Sequence, residues 1–461
     1  MTSGRGAAHH TPVDPKRRRH YPFVSKPGHT PFAISRAEGA YLYTPDPGSA
    51  SGERPILDAA GGAVVVNVGH GRREVGEAFA QASAQLTYVV PPFATDARVE
   101  LVEKLQASWL PSSLTRAVFT SGGSESVEVA IRLARQHHVS AGRPSRWKVI
   151  GRDLSYHGVT LATLDVGGHA KRRKGFAPYF SDRSKLPACY CLRCPLEKTY
   201  PSCDVACATA FEEIIEREGE DTIAALIAEP IGGSTAGALV PPDEYWPKLV
   251  EIAHRHGILV IADEVMTGFG RTGRPMAVDH WGIEPDILVG GKGLTGGYAP
   301  MGAVFAGEDV LDPIARKGDE LMFFTYSAHP ACCAAATAVL GILEAEKLVS
   351  RAAEMGERLR ARLSRLESHP HVGEVRGRGL LQAVEIVKDR DTLEPFPAEA
   401  GVTGKIVAAG LAEGVFFYPG GCDPARDVIT LGPPFIIGDP EIETIAAALE
   451  VAIERTVDRF A

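Results

Sequence analysis

The sequence predicts an α/β fold: a mostly parallel sheet covered by helices on both faces, with a second, smaller domain beside it. Three observations carry that prediction. Apolar strand-like runs alternate with helical stretches through the middle of the chain, the pattern of such a sheet. Several polar candidate residues fall just past the carboxyl ends of those runs, where open α/β sheets bind ligands. With 461 residues and 44% hydrophobic content the chain can bury a large core, and its 49 glycines suit many tight strand-to-helix turns.

Residues 1–20 are polar, include Lys16-Arg-Arg-Arg19, and read as a disordered, solvated leader rather than a nucleic-acid arm. Residues 21–65 are expected to start the small domain, 66–335 to form the large one, and 336–461 to complete the small one. The clearest strands are Ala117–Phe119, Trp147–Ile150, Ala224–Ala228, Ile258–Ala262, Ile287–Val289 and Gly302–Ala306. Helices are expected over Ala334–Ala345, Arg351–Leu366 and Pro440–Val457. Residues 183–208 read as an insertion, because their cysteines, prolines and tyrosines show neither strand nor helix period.

The formal charge of −8 gives no reason to expect a nucleic-acid or anionic-membrane partner. No run reaches the ~20 apolar residues of a membrane span, and no apolar signal core opens the chain, so a cytoplasmic protein acting on small molecules is expected. Eight cysteines are present. Cys191, Cys194, Cys203 and Cys207 are grouped like zinc ligands but not at a standard zinc spacing, so no metal is assigned; free or disulfide-linked thiols are the other reading.

Chemistry concentrates at a few turns. An apolar strand delivers Lys292 into Gly290-Gly-Lys-Gly-Leu-Thr-Gly-Gly297, and another ends in Asp263-Glu-Val265. A lysine amine and a strand-end carboxylate are what pyridoxal 5′-phosphate (PLP) requires: the amine forms the Schiff base and the carboxylate keeps the pyridine nitrogen protonated. Ser121-Gly-Gly-Ser-Glu-Ser126 opens an amphipathic helix whose N-terminus suits a phosphate, with Gly123 and Ser124 to hold it. An ordinary helix capped by Ser124 or Ser126 is the alternative. Tyr156, before His157-Gly158, can stack on a flat ring or simply pack. Singly, Asp263 could be a helix cap and Lys292 a solvated turn lysine. Their joint order with Thr325 argues for one site.

These residues resemble the class III, or ω-, aminotransferases, a PLP-dependent family, over roughly residues 35–455. The resemblance rests on Asp58-Ala-Ala-Gly-Gly62, Gly69-His70, Ser121–Glu125, Tyr156-His-Gly158, Asp263, Lys292 and Thr325-Tyr-Ser-Ala-His-Pro330, with Ala328 where the family has glycine. It implies PLP fold type I, with a mostly parallel seven-stranded sheet in the large domain and a small α+β domain drawn from both termini. Val265 is then expected against the ring face opposite Tyr156. It also implies a homodimer, possibly a tetramer, in which Thr325 reaches the neighbouring subunit's phosphate.

Departures from the family pattern narrow the expectation. Thr430 stands where members using 2-oxoglutarate or ornithine often carry a carboxylate-binding arginine, and Met266 where they often have glutamine. Both resemble the amine:pyruvate and β-alanine:pyruvate branch. The expected activity is transfer of an amino group from a primary amine or ω-amino acid to a keto acid such as pyruvate; a PLP lyase or aminomutase on the same scaffold is the alternative. Arg426 is a candidate for the acceptor carboxylate or a solvated loop charge, and Glu229 either orients substrate or anchors its loop.

Overall fold

The computed structural model describes residues 33–181, 183–319, 321 and 323–458. The leader at 1–20 and the first part of the 21–65 segment lie outside the described residues. The central sheet has the spatial order Arg116–Thr120, Gly302–Ala306, Ile287–Gly290, Leu259–Asp263, Ile223–Ala228, Lys148–Ile150. Gly302–Ala306 runs antiparallel to both neighbours and every other pairing is parallel. Ile223-Ala-Ala-Leu-Ile-Ala228 is buried at every position, as a parallel strand sandwiched between helices must be.

Seven strands are implied by the resemblance, and six are found among the described residues. Beyond Lys148–Ile150, where a seventh would extend the edge, the chain makes a single parallel bridge between Leu186 and Arg152. Leu186 N donates to Gly151 O, Leu186 O accepts from Asp153 N, both at 2.9 Å, and Pro187 follows. No further rung follows among the described residues.

The helix Gly123–Ser140 lies on one face of the sheet, packing Val127, Ala130, Leu133 and Ala134 against Ile227, Ile261 and Val289. Each fully buried large aliphatic side chain there contributes about 1.5–3 kcal/mol. Its register decides where its first turn sits, at the carboxyl edge of the strands. On the other face Trp246 and Leu249, from helix Tyr245–Arg255, join Leu226, Val260 and Leu288 in the larger core.

The remaining expected helices run slightly longer or start earlier than their apolar periods suggest: Pro330–Ala345, Leu348–Leu363 followed by a 3-10 turn Ser364–Ser368, and Asp439–Val457. Pro330 occupies the first turn of its helix, where a missing N–H costs nothing.

Two smaller sheets gather chain from both ends. Strands Arg36–Glu38, Tyr41–Pro45 and Glu53–Asp58 continue into Val415–Phe416, with Val415 opposite Leu57. The other sheet orders Val372–Arg378, Leu381–Ile386, Ala425–Leu431 and Tyr418–Cys422. Buried Arg271 clamps this region to the loop after Asp263: it donates to Leu380 O, Pro433 O and Val66 O at 3.1, 2.6 and 3.1 Å, and stacks on Phe435. The Asp58–Gly62 motif is a turn of the same kind. Asp58 Oδ2 accepts from Gly62 N at 2.9 Å and lies 3.0 Å from His70 Nε2.

The cysteine segment is irregular up to Ala206, where helix Ala206–Glu218 begins, with one 3-10 turn at Cys191–Arg193. Its cysteines are free thiols, and among the described residues no group of three or more His, Cys, Asp or Glu is arranged to hold a metal. It is tied to the C-terminal sheet through buried Glu385, which accepts from Tyr190 Oη, from Arg193 Nε at 2.9 Å and from Arg376 Nη1 at 2.8 Å.

Candidate active site

The carboxyl ends of several strands of the sheet bring the expected residues together, Asp263 and Lys292 from two adjacent ones. Asp263 is the last residue of Leu259–Asp263 and pairs with Val289; two residues past Ile287–Gly290 the chain presents Lys292. They line one pocket of about 180 Å³ with Gly123, Ser124, Tyr156, His157, Glu229 and Val265. Met266, Ile231 and Thr267 complete the wall. Thr325 does not line this pocket; it is exposed in the turn after Phe324.

Lys292 has φ +40°, a left-handed conformation that non-glycine residues seldom adopt. Burial is the largest influence on its amine and pushes it down from 10.5 to about 8, while the negative charges of Asp263 and Glu229 pull the other way. Taking an ammonium out of water disfavours the charged form, so a useful fraction is free base near neutrality.

Asp263 is buried and doubly held. His157 Nδ1 lies 2.7 Å from its Oδ2, and its Oδ1 accepts from Val265 N at 3.1 Å. The His157 Nε2 is buried with no hydrogen-bond partner. This contact escapes sequence reasoning because 106 residues separate the pair. Tyr156-His157-Gly158 is legible as an aromatic motif, but nothing in its letters points at the carboxylate.

The first turn of Gly123–Ser140 faces the pocket with no side-chain cap, so the capped-helix reading gives way. Ser124 Oγ instead accepts from Val159 N at 3.1 Å, and Ser126 Oγ donates to Gly122 O at 3.2 Å. That leaves leading backbone N–H groups and the positive end of the helix available to an anion. Gly123 is required by closeness: a Cβ there would sit 2.8 Å from Val265 Cγ1. Tyr156 is the wall bearing an aromatic face, and its other contacts are the Arg172 guanidinium 4.3 Å from its ring centroid and the edge of His169.

Glu229 anchors two loops: its Oε2 accepts from Tyr156 N at 3.2 Å and its Oε1 from Gly233 N at 3.0 Å. Burial raises its carboxyl above the ordinary range. Arg426 does not reach the Lys292 pocket. Its Nε and Nη2 hold Asp423 Oδ1 at 2.8 and 2.7 Å, and its Nη1 donates to Phe396 O at 2.8 Å. Thr430 is buried in its strand and uncharged, and also lies outside the pocket.

These residues fit PLP. A helix N-terminus with free leading N–H groups would suit a phosphate, Tyr156 and Val265 line the pocket as a flat ring would need, a carboxylate held by His157 would suit a ring nitrogen, and a lysine of lowered proton affinity would suit an aldehyde. A backbone approach kept open by Gly123 beside Val265 gives the pocket its width.

Comparison with known proteins agrees. Residues 24–453 match the family Aminotransferase class-III. The putrescine–pyruvate aminotransferase of Pseudomonas aeruginosa is 34% identical over 92% of this chain and 90% of its own length. A thermostable (S)-enantioselective ω-transaminase from Thermomicrobium roseum superposes with a TM-score of 0.89 at 37% identity, over 96% of this chain and 98% of that one. An amine transaminase from an uncultivated Pseudomonas species, solved in its PLP-bound form, does so with a TM-score of 0.86 at 35% identity, over 95% and 98%. With the match running through nearly the whole chain and the pocket's fittings in place, the chain belongs to the class III aminotransferases, enzymes of PLP fold type I that work with pyridoxal 5′-phosphate.

Proposed function

We propose that the protein moves an amino group from a primary amine or ω-amino acid to a keto acid, with pyruvate as the preferred acceptor, in two half-reactions that share Lys292. The observation that carries this reading is the convergence of Lys292, Asp263 and the uncapped first turn of Gly123–Ser140 on one pocket. PLP, when bound, supplies the electron sink that lets a carbon bearing an amine give up its proton.

The chain's own residues divide the remaining work. Lys292 would hold the cofactor through its amine, and that amine, when free, would take the proton from the donor carbon and later return one. Its lowered proton affinity suits it to act as base and acid in turn. Asp263 holds positive charge on the ring nitrogen, and His157 and the Val265 N–H keep its two oxygens in place. Tyr156 and Val265, both lining the pocket, would bracket the ring, and Gly123 and Ser124 would hold the phosphate through backbone N–H groups. Thr325 serves the neighbouring subunit's phosphate in a homodimer, which fits its exposure away from its own pocket. Apolar Ile231, Val265 and Met266 keep water from the reacting carbon.

Pyruvate is favoured because Thr430 replaces an arginine that would bind a second carboxylate and Met266 stands where glutamine often follows. The test is the ratio of kcat/KM for pyruvate and 2-oxoglutarate with one donor. A preference for pyruvate of about tenfold or more, roughly one charge-assisted hydrogen bond, is expected. A preference for 2-oxoglutarate would overturn the acceptor assignment.

A further inference from the structure

A second cavity, of about 490 Å³, is lined by Arg172, whose guanidinium lies 4.3 Å from the ring centroid of Tyr156 in the first. His169, Lys171, Arg172, Ser234, Arg426 and Asp427 are among its walls. His169 is buried and its imidazole is pushed down to about 4, chiefly by desolvation, so it is neutral and the charges are three cations against one carboxylate. Two of these charged groups are already engaged. Arg426 holds Asp423, and Asp427 Oδ1 accepts from Thr403 N and Oγ1 at 3.1 and 2.8 Å. Lys171 and Arg172 have no carboxylate within ion-pair distance among the described residues. Ser234 Oγ and His169 Nδ1, both buried in residues of this wall, lack any hydrogen-bond partner. Both atoms are sealed from the cavity, so the cavity's attraction for an anion rests on the unpaired Lys171 and Arg172.

Arg172 links this cavity to the chemistry. It lines the second cavity, stacks on Tyr156 of the first, and its charge is felt at the Lys292 amine. Resting on the transaminase reading above, we propose that the second cavity receives the carboxylate of an ω-amino acid donor whose amine reaches Lys292, and that Arg172 is the residue that binds it. A guanidinium offers a two-pronged grip on a carboxylate, and its stack on Tyr156 fixes its plane. The same field repels the far ammonium of a diamine. The site thus sorts donors by the charge at their distal end.

The experiment compares donors with pyruvate as acceptor: ω-amino acids from β-alanine to 6-aminohexanoate, the matched alkylamines, and putrescine. The parent should favour at least one ω-amino acid over its alkylamine and over putrescine. Arg172→Gln should lower kcat/KM for that amino acid about 10- to 100-fold more than for the matched alkylamine, the range of a charge-assisted pair. Arg172→Lys should recover part of the loss. Calorimetry with butyrate and hexanoate gives a second readout that needs no turnover: binding should weaken in Arg172→Gln. Equal losses for amino acid and alkylamine, no loss for either, or carboxylate binding indifferent to Arg172 would overturn the proposal. If no donor is turned over with any acceptor while carboxylate binding still depends on Arg172, the cavity assignment stands and the transaminase reading fails.

Discussion

Lys292 shows how much of a residue's chemistry comes from its surroundings. A solvated lysine holds its proton up to about 10.5, whereas this one, desolvated in the pocket, lets go at about 8. That value alone does not single it out: Lys185 is also pushed down to about 8 by burial, but its amine is tied to the carbonyls of Asp165 and Val166. Position separates the two, because Lys292 shares a pocket with Asp263. A bonded cofactor requires the neutral amine, so uptake of PLP by the apoprotein should accelerate as pH rises through about 8 and level off above it. Stopped-flow absorbance against pH measures this. A midpoint near the ordinary lysine value would show that burial does not tune the amine.

At the scale of elements, what could be read in the sequence was local. All six expected strands are present within a residue or two of their expected bounds, most of them because a strand buried on both faces of the sheet is a continuous apolar run. The glycine turns at Gly123 and Lys292 were legible for the same reason, each following such a run. Contacts across long stretches of chain were not. His157 against Asp263, Arg426 against Phe396, and Glu229 against Tyr156 depend on how loops fold back. The shortened sheet edge was missed because the resemblance implied seven strands, and whether a stretch pairs beyond a single bridge depends on how the chain folds back. Ala328 is the converse, a legible departure explained only by the backbone. Its φ is +53°, the left-handed region where glycine is at ease, so the alanine costs about 1 kcal/mol at that turn.

At the scale of the molecule, the chain folds its N-terminal strands onto Val415–Phe416 and clamps the loop after Asp263 to the C-terminal region through Arg271, leaving Thr325 exposed in its own subunit. In a two-fold dimer each such turn would complete the other subunit's site. Co-expressing Lys292→Ala and Thr325→Ala chains tests this, because each mixed dimer then has one site with both defects and one with neither. Activity well above that of either variant alone is expected. No recovery in mixed dimers isolated by differential tags would argue for sites built from one chain. The alternative on the same scaffold, a lyase or aminomutase, needs no second substrate, and this gives the most direct test of the central claim. PLP-loaded protein is incubated with an amine donor and freed of small molecules by desalting, and pyruvate is then added alone. Transamination predicts alanine approaching one equivalent per site, formed by an amino group carried through the desalting step on the protein. Donor consumed catalytically without any acceptor, or no alanine after desalting, would contradict it.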